Sequence, residues 1–348
     1  MKKLIAAAVA AAIIAPATAM ASGPTLYGKL HMGLGYISND APVNEYKSMN
    51  LASNSSRIGV KGSEDLGNGL KAGYLIEWGV GMDGSGDLTQ RNRAVTLSGG
   101  FGTALFGRWD TPMKSLGRKV DLFGERYADT RQLTRASAAI DNRQNNVVAY
   151  VTPNMGGFSA TLAYVLDATS ATGDDTDNDA FSANAIYKNG PILVGGGYTN
   201  VSSNALAIAT GGTENEVDWR LAGSFKMGAM KAVAMYTDIN DGAGFRDNDY
   251  SVWQLGGAFG FGSNTVKLQY SDKSEGVSGA DDGANVFAIG LEHKMSKRTM
   301  VYVDYGRLDN DNGSNIAFMS KIGNGSGTPA GGAGSTPDGF GLGIIHKF

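Results

Sequence analysis

The chain ends in DGFGLGIIHKF, residues 338–348, and this stretch decides the fold. Phe340, Leu342, Ile344, His346 and Phe348 fall on one face of an extended chain. Gly339, Gly341, Gly343 and Lys347 fall on the other, with Ile345 the exception. Side chains alternate across a strand, so a period of two with one greasy face reads as a strand between two different surroundings. The pattern recurs upstream in Phe158, Ala160, Leu162, Tyr164, Leu166 and in Val217, Trp219, Leu221, Gly223, Phe225. Between them stand Ser159, Thr161, Asp218, Arg220, Ser224 and Lys226.

Continued along the chain, the same reading predicts sixteen strands: 25–37, 54–62, 70–80, 90–99, 103–110, 143–152, 158–167, 180–188, 191–201, 215–227, 231–239, 249–260, 265–273, 285–295, 299–309 and 338–348. Their connections alternate. Residues 63–69, 100–102, 153–157, 189–190, 228–230, 261–264 and 296–298 are tight, and the others are long, polar and often acidic. Outer-membrane barrels sort their connections this way, with short periplasmic turns and longer outside loops. A soluble β-sandwich is the competing fold, but it has no reason to separate loops by length. The expected fold is therefore all-β, a transmembrane antiparallel sixteen-stranded β-barrel. About eight strands leave an interior that side chains fill, whereas sixteen to eighteen leave an aqueous channel. Tyr36, Trp78, Trp109, Tyr164, Tyr187, Tyr198, Trp253, Phe259, Tyr270, Tyr305 and Phe348 lie near strand ends, where rings form interfacial girdles, although aromatics favour strands anywhere.

The N-terminus agrees with an exported protein. Lys2 and Lys3 precede an apolar run from Leu4 to Ala15, then Pro16 and small residues to Ala21. A run of about 12 residues is too short to span a bilayer as a helix but suits a secretory leader. Ala19-Met20-Ala21 is a small-x-small cleavage pattern, which predicts a leader over 1–21, with Ala19 as the competing cut, and a barrel over 22–348. The mature chain then has 348 − 21 = 327 residues and a formal charge of 28 − 33 = −5. That acidity argues against nucleic acid as a partner. With 0 cysteines there is no disulfide scaffold and no thiolate chemistry. The 51 glycines against 8 prolines suit turns and close-packed strands.

The longest internal connection, Thr111 to Asn142, exceeds what a compact fold leaves unstructured without a function. It carries Lys114, Arg118, Lys119, Arg126, Arg131 and Arg135 against Asp121, Glu125, Asp129 and Asp141. Folded back into a barrel, it would narrow the lumen and set its charges against those of the wall.

Leu26-Tyr27-Gly28-Lys29, Ser56-Arg57-Ile58-Gly59-Val60-Lys61-Gly62, Phe106-Gly107-Arg108 before the long loop, and the terminal Phe348 complete a recognisable order. In these features the sequence resembles the general diffusion porins of Gram-negative bacteria over essentially the whole mature chain. The resemblance implies a homotrimer in the outer membrane, each barrel constricted by an inward-folded third extracellular loop, and passive passage of small hydrophilic solutes. It implies a basic wall of Lys29, Arg57, Arg91 or Arg93, and Arg143; alternation independently turns Lys29 and Arg57 toward the lumen. Opposite them it implies loop acids at Asp121, Glu125 and Asp129, around the Phe123-Gly124 step. The family's proline is missing there and Arg126 intrudes, and the mixed signs leave the ion preference open. Phe348 resembles the terminal signal read by the barrel-assembly machinery. Periplasmic chaperones, outer-membrane lipid and lipopolysaccharide are the other implied partners.

Chemical motifs lack their context. Gly79, Gly81 and Gly84 spell GxGxxG, but no helical pattern follows. Asp174, Asp175, Asp177 and Asp179 resemble a calcium loop without its glycine or its terminal glutamate. His31, His293 and His346 are dispersed, so no catalytic group, metal or cofactor is expected. A substrate-selective channel and a non-pore barrel with an enzymatic or adhesive role remain the alternatives.

Overall fold

The computed structural model describes residues 21–40, 45–84, 88–126, 128–134, 141–166, 179–277, 279–318 and 332–348. The predicted leader lies outside them except for Ala21, which opens the first strand, and so do Arg135 and the acidic run 174–178. The strands are β1 Ala21–Asn39, β2 Tyr46–Ser53, β3 Arg57–Gly67, β4 Leu70–Gly79, β5 Thr89–Gly99, β6 Gly102–Asp110, β7 Arg143–Val151, β8 Phe158–Val165, β9 Ala180–Asn189, β10 Ile192–Val201, β11 Glu216–Met227, β12 Met230–Asn240, β13 Tyr250–Phe261, β14 Asn264–Lys273, β15 Ala284–Lys294, β16 Thr299–Asn310 and β17 Asp338–Lys347. Among the described residues three short α-helices sit in loops, α1 Pro112–Gly117, α2 Arg131–Thr134 and α3 Ser203–Ala209, with a 3-10 turn at Gly242–Gly244.

These segments make a closed antiparallel barrel of sixteen staves, because β2 and β3 are one stave broken in the middle. Both pair with β1, β2 along Met32–Asn39 and β3 along Ala21–Lys29. At the break Ser55 takes a left-handed backbone, and Ser56 Oγ stands in for the missing ladder, accepting from His31 N (2.9 Å) and donating to His31 O (3.1 Å). The sequence reading placed that stave at 54–62 and missed its upper half. Each later strand pairs with its neighbour, and β17 closes the ring on β1 from Lys29↔Lys347 to Ser38↔Asp338. At the seam Gly28 N donates to Phe348 O (3.1 Å) and Phe348 N to Gly28 O (3.2 Å). Only glycine fits at 28, since a Cβ there would lie 2.4 Å from the Phe348 ring.

The two faces differ as the alternation demands. Trp219, Leu221, Phe225 and Met227 of β11 point outward and exposed, while Asp218 and Arg220 are fully buried inside. A soluble protein does not display such a continuous apolar surface; a lipid-embedded one must. Girdle rings meet across strands, with Tyr198 and Trp219 at 4.6 Å and Trp253 and Tyr270 at 5.2 Å between centroids. Trp109 departs from the girdle and packs against a buried apolar cluster containing Leu105 and Leu206.

Candidate functional site

The connection from β6 to β7 turns into the barrel, as the sequence reading expected. Thr111 caps α1 by accepting from Lys114 N (3.3 Å), and Pro112 supplies a preset first helical position. The inner wall makes room for the helix with two glycines. A Cβ at Gly195 would lie 2.7 Å from Leu116, and one at Gly197 2.4 Å from Met113. Asn184 donates to Pro112 O (2.7 Å), and Arg220 reaches Met113 O (2.9 Å).

From there the loop runs along β13 to β16, held by wall amides. Gln254 donates to Val120 O (3.0 Å); Gln269 accepts from Leu122 N (2.8 Å) and donates to Ala128 O (3.0 Å). Two buried ion-pair anchors complete the attachment. Arg220 grips Asp141 through both terminal nitrogens at 2.9 and 2.8 Å, where the loop leaves the wall. Arg126 joins Glu292 (2.7 Å) and Asp304 (3.2 Å) and lies 4.1 Å over the Tyr302 ring. The arginine that departs from the family pattern is thus a strut fastening the loop tip to the far wall.

The tip carries Glu125 across the lumen. Its backbone is left-handed, and its N–H donates to Asp129 (2.7 Å). Its carboxylate meets Lys29, Arg57 (3.2 Å) and Arg118 (3.0 Å). Burial alone would lift this carboxyl, but those three cations hold it well below the usual carboxylate range. On the wall, Glu77 pairs with Arg91 (2.5 Å) and, more loosely, with Arg57 (3.6 Å). Asp110 pairs with Lys114 and Arg143, each at 2.9 Å. Burial pushes Lys114 down to about 8 against the pull of Asp110.

Between loop and wall remains a polar cavity of about 180 Å³. Its charged lining consists of Arg57, Arg91, Lys114, Arg118, Arg131 and Arg143 against Glu77, Asp110 and Glu125, so six cations face three acids and the formal sum is +3.

Of the residues expected from the sequence, Arg57, Arg91, Arg143 and Glu125 meet at this cavity. Lys29 is shut behind Glu125, only 7% exposed, and supports the acid without lining the opening. Arg93 belongs elsewhere. Across the β4–β5 pairing Arg91 and Asn92 of β5 together oppose Glu77 of β4, and this bulge reverses the alternation. Arg91 and Asn92 therefore face in, while Arg93 pairs with outward Ile76 and lies over the Trp78 ring at 5.6 Å. Asp121 and Asp129, expected at the opening, instead bond inside the loop and do not line the cavity. Asp121 accepts from Phe123 N (2.9 Å), while Asp129 is fully buried against Arg131 and the Glu125 backbone. Burial and the neighbouring Asp129 push Asp121 up to about 7, whereas Arg131 outweighs burial at Asp129 and holds it down. Glu77 and Asp110 are not named by the sequence reading, and Lys114, Arg118 and Arg131 enter it only as charges of the long loop. Glu77 carried a signal, the single acid of its strand, on the lumen phase.

A family model described as Gram-negative porin matches residues 6–313. Outer membrane porin protein 32 of Delftia acidovorans is 31% identical over 363 residues, covering 100% of this chain and 99% of that one. Among solved structures, the anion-selective porin from Comamonas acidovorans superimposes with a TM-score of 0.79 at 28% identity, over 94% of this chain and 100% of that one. OmpT of Vibrio cholerae, in a trimer form, shares the fold with a TM-score of 0.64 at 18% identity, over 94% and 99% of the two chains.

Proposed function

We propose that this chain, which belongs to the Gram-negative porin family and forms an outer-membrane channel for passive diffusion of small hydrophilic solutes, favours anions, and does so at the loop-lined cavity. The observation that carries the reading is the excess of six cations over three acids around an opening of about 180 Å³. Every acid in the lining touches at least two cations, so the acids space the guanidinium groups and reduce their repulsion while leaving the field positive. A permeating anion exchanges part of its hydration for these fixed donors, whereas a cation meets a barrier of the same origin. Size selection follows from the loop, which the Arg126 and Arg220 anchors hold in place. The similar porin from Comamonas acidovorans is itself described as anion-selective, which supports the same sign here.

The assembly reading is a homotrimer of such barrels, supported by the family and by the trimer form of the Vibrio cholerae OmpT. Export through the leader 1–21, recognition of Phe348 by the assembly machinery, and contact with lipopolysaccharide complete the proposal. The test is a reversal potential in planar bilayers under a KCl gradient. A sign reporting chloride preference is expected, and a cation-preferring sign would remove the assignment.

A further inference from the structure

One side chain of the barrel wall lacks what its burial demands. Asp218 of β11 is fully buried, and among the described residues neither of its carboxylate oxygens meets a hydrogen-bond donor. An ionised carboxyl shut away from water is strongly disfavoured unless a counter-charge or donors replace the solvent. The arginine of the same strand does not serve it, because Arg220 gives both terminal nitrogens to Asp141 and its Nε to Thr237 (2.9 Å). A second acid enlarges the deficit. Glu216 stands two positions earlier on the same inward face, is also fully buried, and brings its carboxyl within hydrogen-bonding reach of Asp218. One Glu216 oxygen accepts from Ala243 N (2.6 Å), in the 3-10 turn.

Directly opposite Asp218 in register is Thr199 of β10, and opposite Thr199 is Ser182 of β9. Both hydroxyls are buried, and they bond each other at 2.9 Å. Residues paired across strands bring their Cβ atoms to about 4.5–5.5 Å, so Ser182, Thr199 and Asp218, with Glu216 beside them, form a run of oxygen atoms without a nitrogen. Among the described residues no third carboxylate or histidine joins them. A shared proton would join one Asp218 oxygen to Glu216 and leave the other bare. A hard cation engages both, and two carboxylates with two hydroxyls offer six oxygens, the lower end of what calcium takes. Magnesium keeps several of its waters and suits a dry wall less well. We infer that Asp218 and Glu216, with Thr199 and Ser182, hold a divalent cation of the calcium type in the barrel wall. The ion ties the 3-10 turn to β11, two positions from the arginine that anchors the inward loop. Neither acid lines the polar cavity, so the site is separable from ion selection.

The experiment titrates calcium chloride by calorimetry into purified, EDTA-treated wild-type protein and Asp218→Asn, and follows the melting of each in calcium and in EDTA. Wild type is expected to bind one more calcium per chain than the variant and to melt higher in calcium. The variant is expected to lose both that equivalent and that shift while keeping the wild-type reversal potential. Equal calcium uptake by the two proteins overturns the inference, since exposed loop acids then account for all the binding. So does a wild type that takes up no calcium but melts lower as pH rises, because the pair then holds a shared proton. If Asp218→Asn does not assemble, Thr199→Val keeps both acids and removes one neutral ligand. It should bind that calcium roughly tenfold more weakly, and wild-type affinity in this variant also overturns the inference.

Discussion

Replacing Arg143 by alanine should move the channel toward cations by an amount the geometry allows one to work out. The cavity lining falls from +3 to +2, and Asp110 keeps Lys114 at 2.9 Å, so no acid is left bare. An ion centred in about 180 Å³ sits about 5 Å from a wall guanidinium, where one unit charge is worth about 0.8 kcal/mol in water and about 0.5 after screening by 0.1 M salt. Anion and cation energies shift in opposite directions, so the anion-to-cation permeability ratio should fall roughly fivefold. At 1 M salt the Debye length shrinks to about 3 Å and the change should shrink to less than about twofold. Reversal potentials of Arg143→Ala and wild type in parallel KCl gradients at the two ionic strengths measure both numbers. A ratio that does not move at 0.1 M, or moves equally at 1 M, would refute the electrostatic account and leave only pore size.

Glu125→Gln removes the acid that three cations share, and should raise the anion preference severalfold in the same recording while making the open current noisier. Lys114 carries its charge below about pH 8 and loses it above, so anion preference should decline between pH 7 and 9, and Lys114→Met should abolish that dependence. Acidification from pH 7 to 4 should not raise anion preference through Glu125, whose carboxyl stays ionised there. Arg126→Gln leaves Asp304 without its buried ion-pair partner, while Glu292 keeps Lys267 at 2.5 Å, a loss of up to about 3–5 kcal/mol by analogy with broken buried pairs; limited proteolysis should then cut the inward loop faster than in wild type. Deleting Phe348 should reduce the yield of assembled barrels without altering the conductance of those that form, and a normal trimer yield would count against its role in assembly.

The strands and their order were legible because strand alternation is local: a residue's phase depends on its neighbours in sequence, and a lipid face on one side with water on the other forces the pattern throughout. The terminal DGFGLGIIHKF therefore announced its own strand, and loop lengths announced which ends face which compartment. Arg57, Arg91 and Arg143 could be proposed from the same phase and from the family resemblance. Tertiary structure decided what phase alone does not carry. The β5 bulge sends Arg93 outward and Arg91 inward although they share parity, because one extra residue reverses a period of two. The family resemblance implies a lumen position for Asp121 and Asp129, but the loop uses them to tie its own backbone, a choice made by contacts nine residues apart or across the barrel. The sum of +3 came last. It depends on which of the scattered charges the inward fold of one loop brings around a common opening, and no spacing along the chain encodes that.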